Sequence, residues 1–276
     1  MNVNKILTCF LLVVLLLRID DSEAQNPGVN GYKGIWFTLG QFSEYGDKYS
    51  GGLGTYTADH IPVAVYSPEA GKTFFIYGGT TKADERHLLI MISYYDHRTK
   101  MVPGPVVVFD KMGIDDPHDN AALSIDNEGY IRVFISGRSR LRPGYIFKSR
   151  TPYSIESFEK ILEGEMTYPQ PWMVNGKGFL YMFTKYTKGR ELYWSTSNDS
   201  KTWKKTRDVT EASLLNHSYV RRPVNAHKDF YAFWADGDAD KFSESHLYFS
   251  DRKGNKVWEL PYEMIANLER PSKIKY

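Results

Sequence analysis

Apolar and polar positions alternate along most of this chain in short runs, each closed by a cluster of turn-forming residues. The stretch from His60, HIPVAVYSPEAGKTFFIYGGT, shows the unit: an alternating run, a polar turn (SPEAGK), and a second run rich in aromatic and β-branched residues. The same order returns in HDNAALSIDNEGYIRVFISGR from His118, in YPQPWMVNGKGFLYMFTKYTKGR from Tyr168 and in YVRRPVNAHKDFYAFWADGD from Tyr219. A period of two bounded by such turns predicts antiparallel hairpins. A third strand follows each hairpin: HLLIMISYYD at 87, GYIFKSR at 144, ELYWSTS at 191 and HLYFSD at 246. Helical spacing of apolar residues occurs near 154–162, where a short helix is expected.

Equivalent positions in the second strands are Phe75, Val133, Tyr181 and Ala232, separated by 58, 48 and 51 residues. Short antiparallel strands recurring at such intervals predict the blades of a β-propeller. The repeats lie near 56–105, 116–160, 167–212 and 219–262, within one domain over 25–276. With the N-terminal GYKGIWFTLGQ, four to five blades are recognisable. The expected fold class is therefore all-β. A doubly wound fold would need long amphipathic helices between strands, and the pattern lacks them.

In a propeller the first strand of each blade lines the central channel. His60, His118, Tyr168 and Tyr219 share one position, the start of the innermost strand in successive blades. Four polar or aromatic rings are thus expected to converge on one funnel, although any single ring could instead cap a loop. Cations surround them. SGRSRLRPG carries Arg138, Arg140 and Arg142 in the loop after one second strand, and FTKYTKGREL offers Lys185, Lys188 and Arg190 in the next blade. Arg221 and Arg222 follow Tyr219.

Composition narrows the function classes. Net charge is +2, so no global field demands nucleic acid, and a basic surface must be local. A locally basic, aromatic-lined funnel suits an acidic polysaccharide. The apolar run ILTCFLLVVLLL, residues 6–17, follows Asn4-Lys5 and is too short to span a bilayer. Ser22-Glu23-Ala24 after it fits a cleavage point, so residues 1–24 read as a signal peptide. A secreted or periplasmic monomer without stable membrane insertion is expected. The one cysteine, Cys9, lies in the leader, so the mature chain would have no disulfide and must rest on its core. Asn198-Asp-Ser and Asn216-His-Ser match the glycosylation pattern. No HxH or HExxH spacing points to a catalytic metal; no cofactor is expected, and a structural cation is left open.

Two kinds of motif carry a resemblance. Ser197-Asn-Asp-Ser-Lys-Thr-Trp203 resembles the Asp-box of bacterial-neuraminidase-repeat (BNR) propellers, with Lys201 where glycine is usual; Ser250-Asp-Arg-Lys-Gly-Asn-Lys-Val-Trp258 is a looser version one blade on. Longer stretches are YKGIWFTLGQFSEYGDKYSGGLGTYTADHIPVAVYSP, DDPHDNAALSID, SGRSRLRPG, and MTYPQPW with YTKGRELYW. These are similar to the BNR-repeat-containing family, which includes exported β-propeller polysaccharide lyases of the ulvan-lyase kind. The resemblance covers roughly residues 30–262. It implies a seven-bladed architecture of which this chain would be a shortened version. It also implies cleavage at a uronic acid by β-elimination, with His118 resembling the family's catalytic histidine and Tyr168 its catalytic tyrosine.

That chemistry needs a base for the C5 proton, an acid for the departing oxygen, and a group that neutralises the carboxylate as enolate charge develops. On this reading His118 is base or carboxylate partner and Tyr168 the acid. Arg138 and Arg190 bind carboxylate or sulfate bidentately, with His60, Tyr219 and Arg222 as further substrate contacts. The family often carries a histidine on the loop where Arg138 lies. Two alternatives remain. A sialidase-like glycoside hydrolase needs two suitably spaced carboxylates, for which Asp59, Asp115, Asp116, Asp119 and Asp236 are candidates. A non-catalytic carbohydrate-binding propeller would tolerate missing blades.

Overall fold

A computed structural model describes residues 60–274, apart from 80–87, 115, 175–176, 187–189, 205–206, 211–213, 224–226, 238–244 and 262–269. The leader, GYKGIWFTLGQ, Asp59, Asp115 and Lys188 lie outside the described residues. The described strands form four antiparallel sheets in chain order. Blade 1 holds β1 (Ala64–Ser67), β2 (Lys72–Gly79), β3 (Leu89–Asp96) and β4 (Val106–Asp110). Blade 2 holds β5 (Ala121–Ile125), β6 (Ile131–Ile135), β7 (Gly144–Ser149) and β8 (Phe158–Gly164). Blade 3 holds β9 (Thr167–Val174), β10 (Gly178–Tyr186), β11 (Arg190–Ser197) and β12 (Arg207–Asp208). Blade 4 adds a fifth strand: β13 (Ser218–Arg221), β14 (Ala232–Ala235), β15 (Leu247–Ser250), β16 (Val257–Glu259) and β17 (Ser272–Ile274). The innermost strands β1, β5 and β9 touch in succession, and β13 packs on blade 3, which is the radial order of a propeller.

Alternation explains why the middle strands read as almost continuous apolar runs. Side chains of β6 point alternately to two neighbours: Ile131, Val133 and Ile135 pack toward blade 1 with Phe74, Ile76 and Ile90, whereas Phe134 packs toward blade 3 with Phe179, Tyr181 and Phe183. In β10, Phe179, Tyr181 and Phe183 face blade 2, while Leu180 and Met182 face blade 4 with Val220 and Trp234. The sheets of blades 2 and 3 are thus buried on both faces, so in their middle strands neither parity is mainly polar. Each of the four repeat positions pairs with the third strand of its blade: Phe75 lies opposite Ser93, Val133 opposite Phe147, Tyr181 opposite Ser195, and Ala232 opposite Ser250.

The helix expected near 154–162 is instead strand β8. Its pairing with β7 shifts register between Ile146 and Phe147, so that Ile146 faces Leu162 and Phe147 faces Lys160. The bulge leaves Ile161 as the extra residue, and Ile161 and Leu162 both pack on the blade-3 seam. Ile155 and Phe158 pack on the opposite seam. A bend and a bulge thereby reproduce the apolar spacing of a helix. Among the described residues no helix is long and apolar enough to cross a membrane.

Candidate active site

The inner strands start at the end of the molecule where the second strands stop, and the connections there build a polar cluster. A 3-10 turn, Pro117–Asp119, leads into β5. Asp116 organises it: its Oδ1 accepts the His118 backbone N–H at 3.0 Å and stands 2.6 Å from His118 Nδ1. The β6–β7 loop is a tight hairpin in which Arg138 and Arg142 exchange backbone hydrogen bonds. Gly137 is needed there, because a Cβ would run into the Arg142 carbonyl and Pro143. The loop then reaches the next blade: the Tyr168 N–H donates to Ser136 Oγ at 3.1 Å, and the Ser139 N–H donates to Thr167 Oγ1 at 3.1 Å. Between these anchors Tyr168 adopts a left-handed backbone, φ 54°, which an L-residue holds only under constraint.

Side chains converge on the same point. Arg138 Nη1 donates to Tyr168 Oη at 2.8 Å. The Tyr168 ring centroid is 6.0 Å from that of His118 and 6.1 Å from that of His60. His60 Nε2 donates to the His118 carbonyl at 2.9 Å. Behind this face, Arg142 grips both acids, with Nη2 2.6 Å from Asp116 Oδ2 and Nε 2.9 Å from Asp119 Oδ2. Lys111 Nζ completes the network at 2.8 Å from Asp119 Oδ2 and 2.9 Å from the Ser136 carbonyl. His118 is 6 % exposed and Tyr168 2 %.

The electrostatics follow from this packing. Burial would push the Asp116 carboxyl up, but hydrogen bonds from His118, together with the His118 and Arg138 charges, hold it at about 2. Burial also works against the Arg138 charge, yet Tyr168, Tyr186 and Asp116 outweigh it and keep the guanidinium above its ordinary value. Arg142 is raised too, its burial offset by Asp119 and Asp116. Lys111 is lowered: desolvation prevails over the pull of Asp119. Three cations (Lys111, Arg138 and Arg142) face two carboxylates (Asp116 and Asp119), so these five groups keep one unit of positive charge.

Of the residues expected at the funnel, His60, His118, Tyr168 and Arg138 meet directly. Arg190 opens β11 at the same end; its guanidinium lies 5.4 Å from the Tyr186 ring, and its backbone N–H donates to Asn216 Oδ1 at 2.8 Å. Arg222 stacks on Tyr231 in blade 4, 5.0 Å from the ring centroid. Tyr219 lies on β13, but its side chain is outside the described residues. Lys185 sits over the Phe183 and Tyr193 rings, and Arg140 is exposed. The described carboxylates considered for a hydrolase are committed. Asp116 and Asp119 are held by Arg142, and Asp236 accepts from Tyr248 Oη and the His246 N–H, both at 2.7 Å. Sequence reasoning missed Lys111. Its signal was faint: a lone cation directly after the apolar run of β4.

The turn after β11, which carries Ser197 to Trp203, is closed by its own side chains. Asp199 Oδ1 accepts the Lys201 and Thr202 N–H groups at 2.8 and 2.6 Å, and Trp203 Nε1 donates to the Ser200 carbonyl at 3.0 Å. It lies at the opposite end of the strands from the cluster.

No curated protein sequence matches the chain significantly. Among solved structures, an ulvan lyase of polysaccharide lyase family PL25 bound to -[GlcA(1-4)Rha3S]- superimposes with a TM-score of 0.52 at 15% identity, covering 87% of this chain and 58% of that one. A second structure of the PL25 ulvan lyase gives 0.55 and 15%, covering 87% and 59%. The polysaccharide lyase Uly1 gives 0.51 and 11%, covering 85% and 60%. The chain therefore spans less than two thirds of these lyases, and likeness at this identity establishes a shared propeller fold. A family model, described as BNR repeat-containing family member, matches residues 73–261, from β2 through β16. That match takes in more than half of the chain, which belongs to the BNR repeat-containing family.

Proposed function

We propose that this protein is an exported polysaccharide lyase that cleaves a uronic-acid-containing polymer by β-elimination. One observation carries the reading: a guanidinium donates to the Tyr168 phenol oxygen at 2.8 Å while the His118 ring stands alongside. A neighbouring cation stabilises phenolate and so makes the phenol a better proton donor. Two side chains able to exchange protons, side by side at one mouth, are what acid and base roles require.

In the proposed reaction His118 removes the C5 proton of the uronate. The C5–H electrons form the C4=C5 double bond, the C4–O bond breaks, and Tyr168 delivers its proton to the departing oxygen. Histidine is left protonated and tyrosine ionised, so a proton passing between them through solvent restores the site without any co-reactant. Arg138 stabilises the phenolate formed in this step. Arg190, one ring away across Tyr186, is the candidate for the substrate carboxylate or a sulfate. The positive charge left in the cluster suits an anionic polymer and favours enolate development.

The test is incubation with ulvan and other uronic-acid polymers while following the ultraviolet absorbance of the unsaturated uronate. His118→Ala and Tyr168→Phe are each expected to reduce elimination by roughly 10²-fold or more. Full activity in both variants would refute the assignment. New reducing ends without absorbance would mean hydrolysis. A second reading, a carbohydrate-binding propeller without catalysis, draws on the deep burial of Tyr168 and the short span against the lyases. Polymer retention without product would favour it.

A further inference from the structure

We infer that Asp116 is the positioning residue of this site, fixing His118 as the Nδ1–H tautomer so that Nε2 is the nitrogen that exchanges a proton with substrate. This rests on the lyase reading of the same histidine. Asp116 Oδ1 receives two bonds from one residue, the backbone N–H and Nδ1 of His118, while Oδ2 is held by Arg142 Nη2 at 2.6 Å and faces Arg138 Nε at 4.0 Å. A carboxyl so surrounded stays ionised, and an ionised carboxylate only accepts hydrogen bonds. The 2.6 Å contact therefore requires the proton on Nδ1. Among the described residues, the other charged or titratable groups around the dyad include Asp119 on the same turn, Lys111 at the end of blade 1, His60 ahead of β1, and Tyr168 on β9.

The geometry makes a specific prediction for Asp116→Asn. The amide has one oxygen for three donors: the His118 backbone N–H and Nδ1–H on one side and Arg142 on the other. Arg142 is a permanent cation whose charge-assisted bond outweighs a neutral one, so the amide oxygen turns toward it and the NH2 toward His118, giving up the bond from the His118 backbone N–H. Nδ1 must then accept, and the ring is forced into the Nε2–H tautomer. A base presenting the wrong nitrogen loses kcat by on the order of 10³-fold or more, with KM moving only a few-fold, as for the histidine of a serine-protease triad whose aspartate is amidated. Asp116→Glu keeps the charge and restores part of kcat. In the double variant Asp116→Asn/Arg142→Gln the residue-142 amide can accept, so the asparagine oxygen returns to His118 and the Nδ1–H form with it.

The experiment uses the full chain with ring-15N histidine. The His118 signals are identified by their loss in His118→Gln, and folding of each variant is checked by thermal unfolding. The expected result is Nδ1–H in the native protein, Nε2–H in Asp116→Asn, recovery in the double variant, and loss of kcat tracking the tautomer. A native His118 in the Nε2–H form overturns the inference by itself, even if every variant fails to fold. An unchanged tautomer in folded Asp116→Asn, or a switched tautomer with kcat intact, also overturns it. If the native protein makes no unsaturated product yet the tautomers switch as described, the lyase reading fails and the Asp116–His118 orientation stands.

Discussion

Asp119→Asn separates the charge network from the packing that surrounds it. Asp119 is wholly buried and Lys111 Nζ, 2.8 Å away, has a side chain only 4 % exposed. Removing one partner of such a pair leaves an ammonium without a counter-ion inside the protein, at a cost of about 3–5 kcal/mol. Arg142 loses a partner as well but keeps Asp116, so the larger share falls on Lys111. For a domain of this size the loss corresponds to a fall in midpoint temperature on the order of 10 °C. Burial already holds Lys111 below its ordinary value against the pull of Asp119, and without that pull it releases its proton more readily. The folded variant then binds fewer protons than its unfolded chain, so its stability rises with pH across that interval. Urea unfolding at several pH values measures this directly. Adding Lys111→Met should recover much of the loss, giving a coupling of about 1–3 kcal/mol. A cost below about 1 kcal/mol, or a double variant no more stable than Asp119→Asn, would refute the account.

Two other outcomes follow from the same structure. Phe134 is fully buried against Phe179, Tyr181 and Trp203, so Phe134→Ala should cost about 3–5 kcal/mol in urea unfolding, whereas Leu141→Ala, at a site 80 % exposed, should change stability by less than about 0.5 kcal/mol. Asp116 titrates at about 2 in the folded protein against 3.8 ordinarily, a depressed value; its stabilisation of about 2 kcal/mol is present above pH 4 and disappears as pH falls toward 2. Acid titration of unfolding should show this increment in the native chain and lack it in Asp116→Asn.

The blade order was legible because hairpin spacing and turn residues are local properties. Phe75, Val133, Tyr181 and Ala232 could be aligned by eye, and each lies on the second strand of its blade, paired with the third. Strand β8 was misread because a bulge at Ile161 places two consecutive apolar residues on one seam, which breaks the period of two. At the mouth, equivalence of His60, His118 and Tyr168 in the repeat was enough to bring their rings together. The partners were harder. Arg138 was expected to face a substrate carboxylate, yet its bond to Tyr168 spans thirty positions and depends on how the β6–β7 loop turns. Lys111 and Asp119 belong to different blades, and no periodicity relates a residue ending one sheet to a residue preceding the next.

Beside the bonds within blade 2 that tie Asp116 and Asp119 to His118 and Arg142, most other contacts that set the mouth cross from one blade to the following one. His60 bonds the His118 carbonyl, Lys111 bonds Asp119 and Ser136, Ser136 and Arg138 hold Tyr168, and Asn216 holds Arg190. The heritable unit of function is therefore the junction, although the unit of sequence repetition is the blade. Shuffling whole blades among homologues would keep each sheet while scrambling the mouth. A crossover through the outer strands, which moves a junction intact, could transplant it.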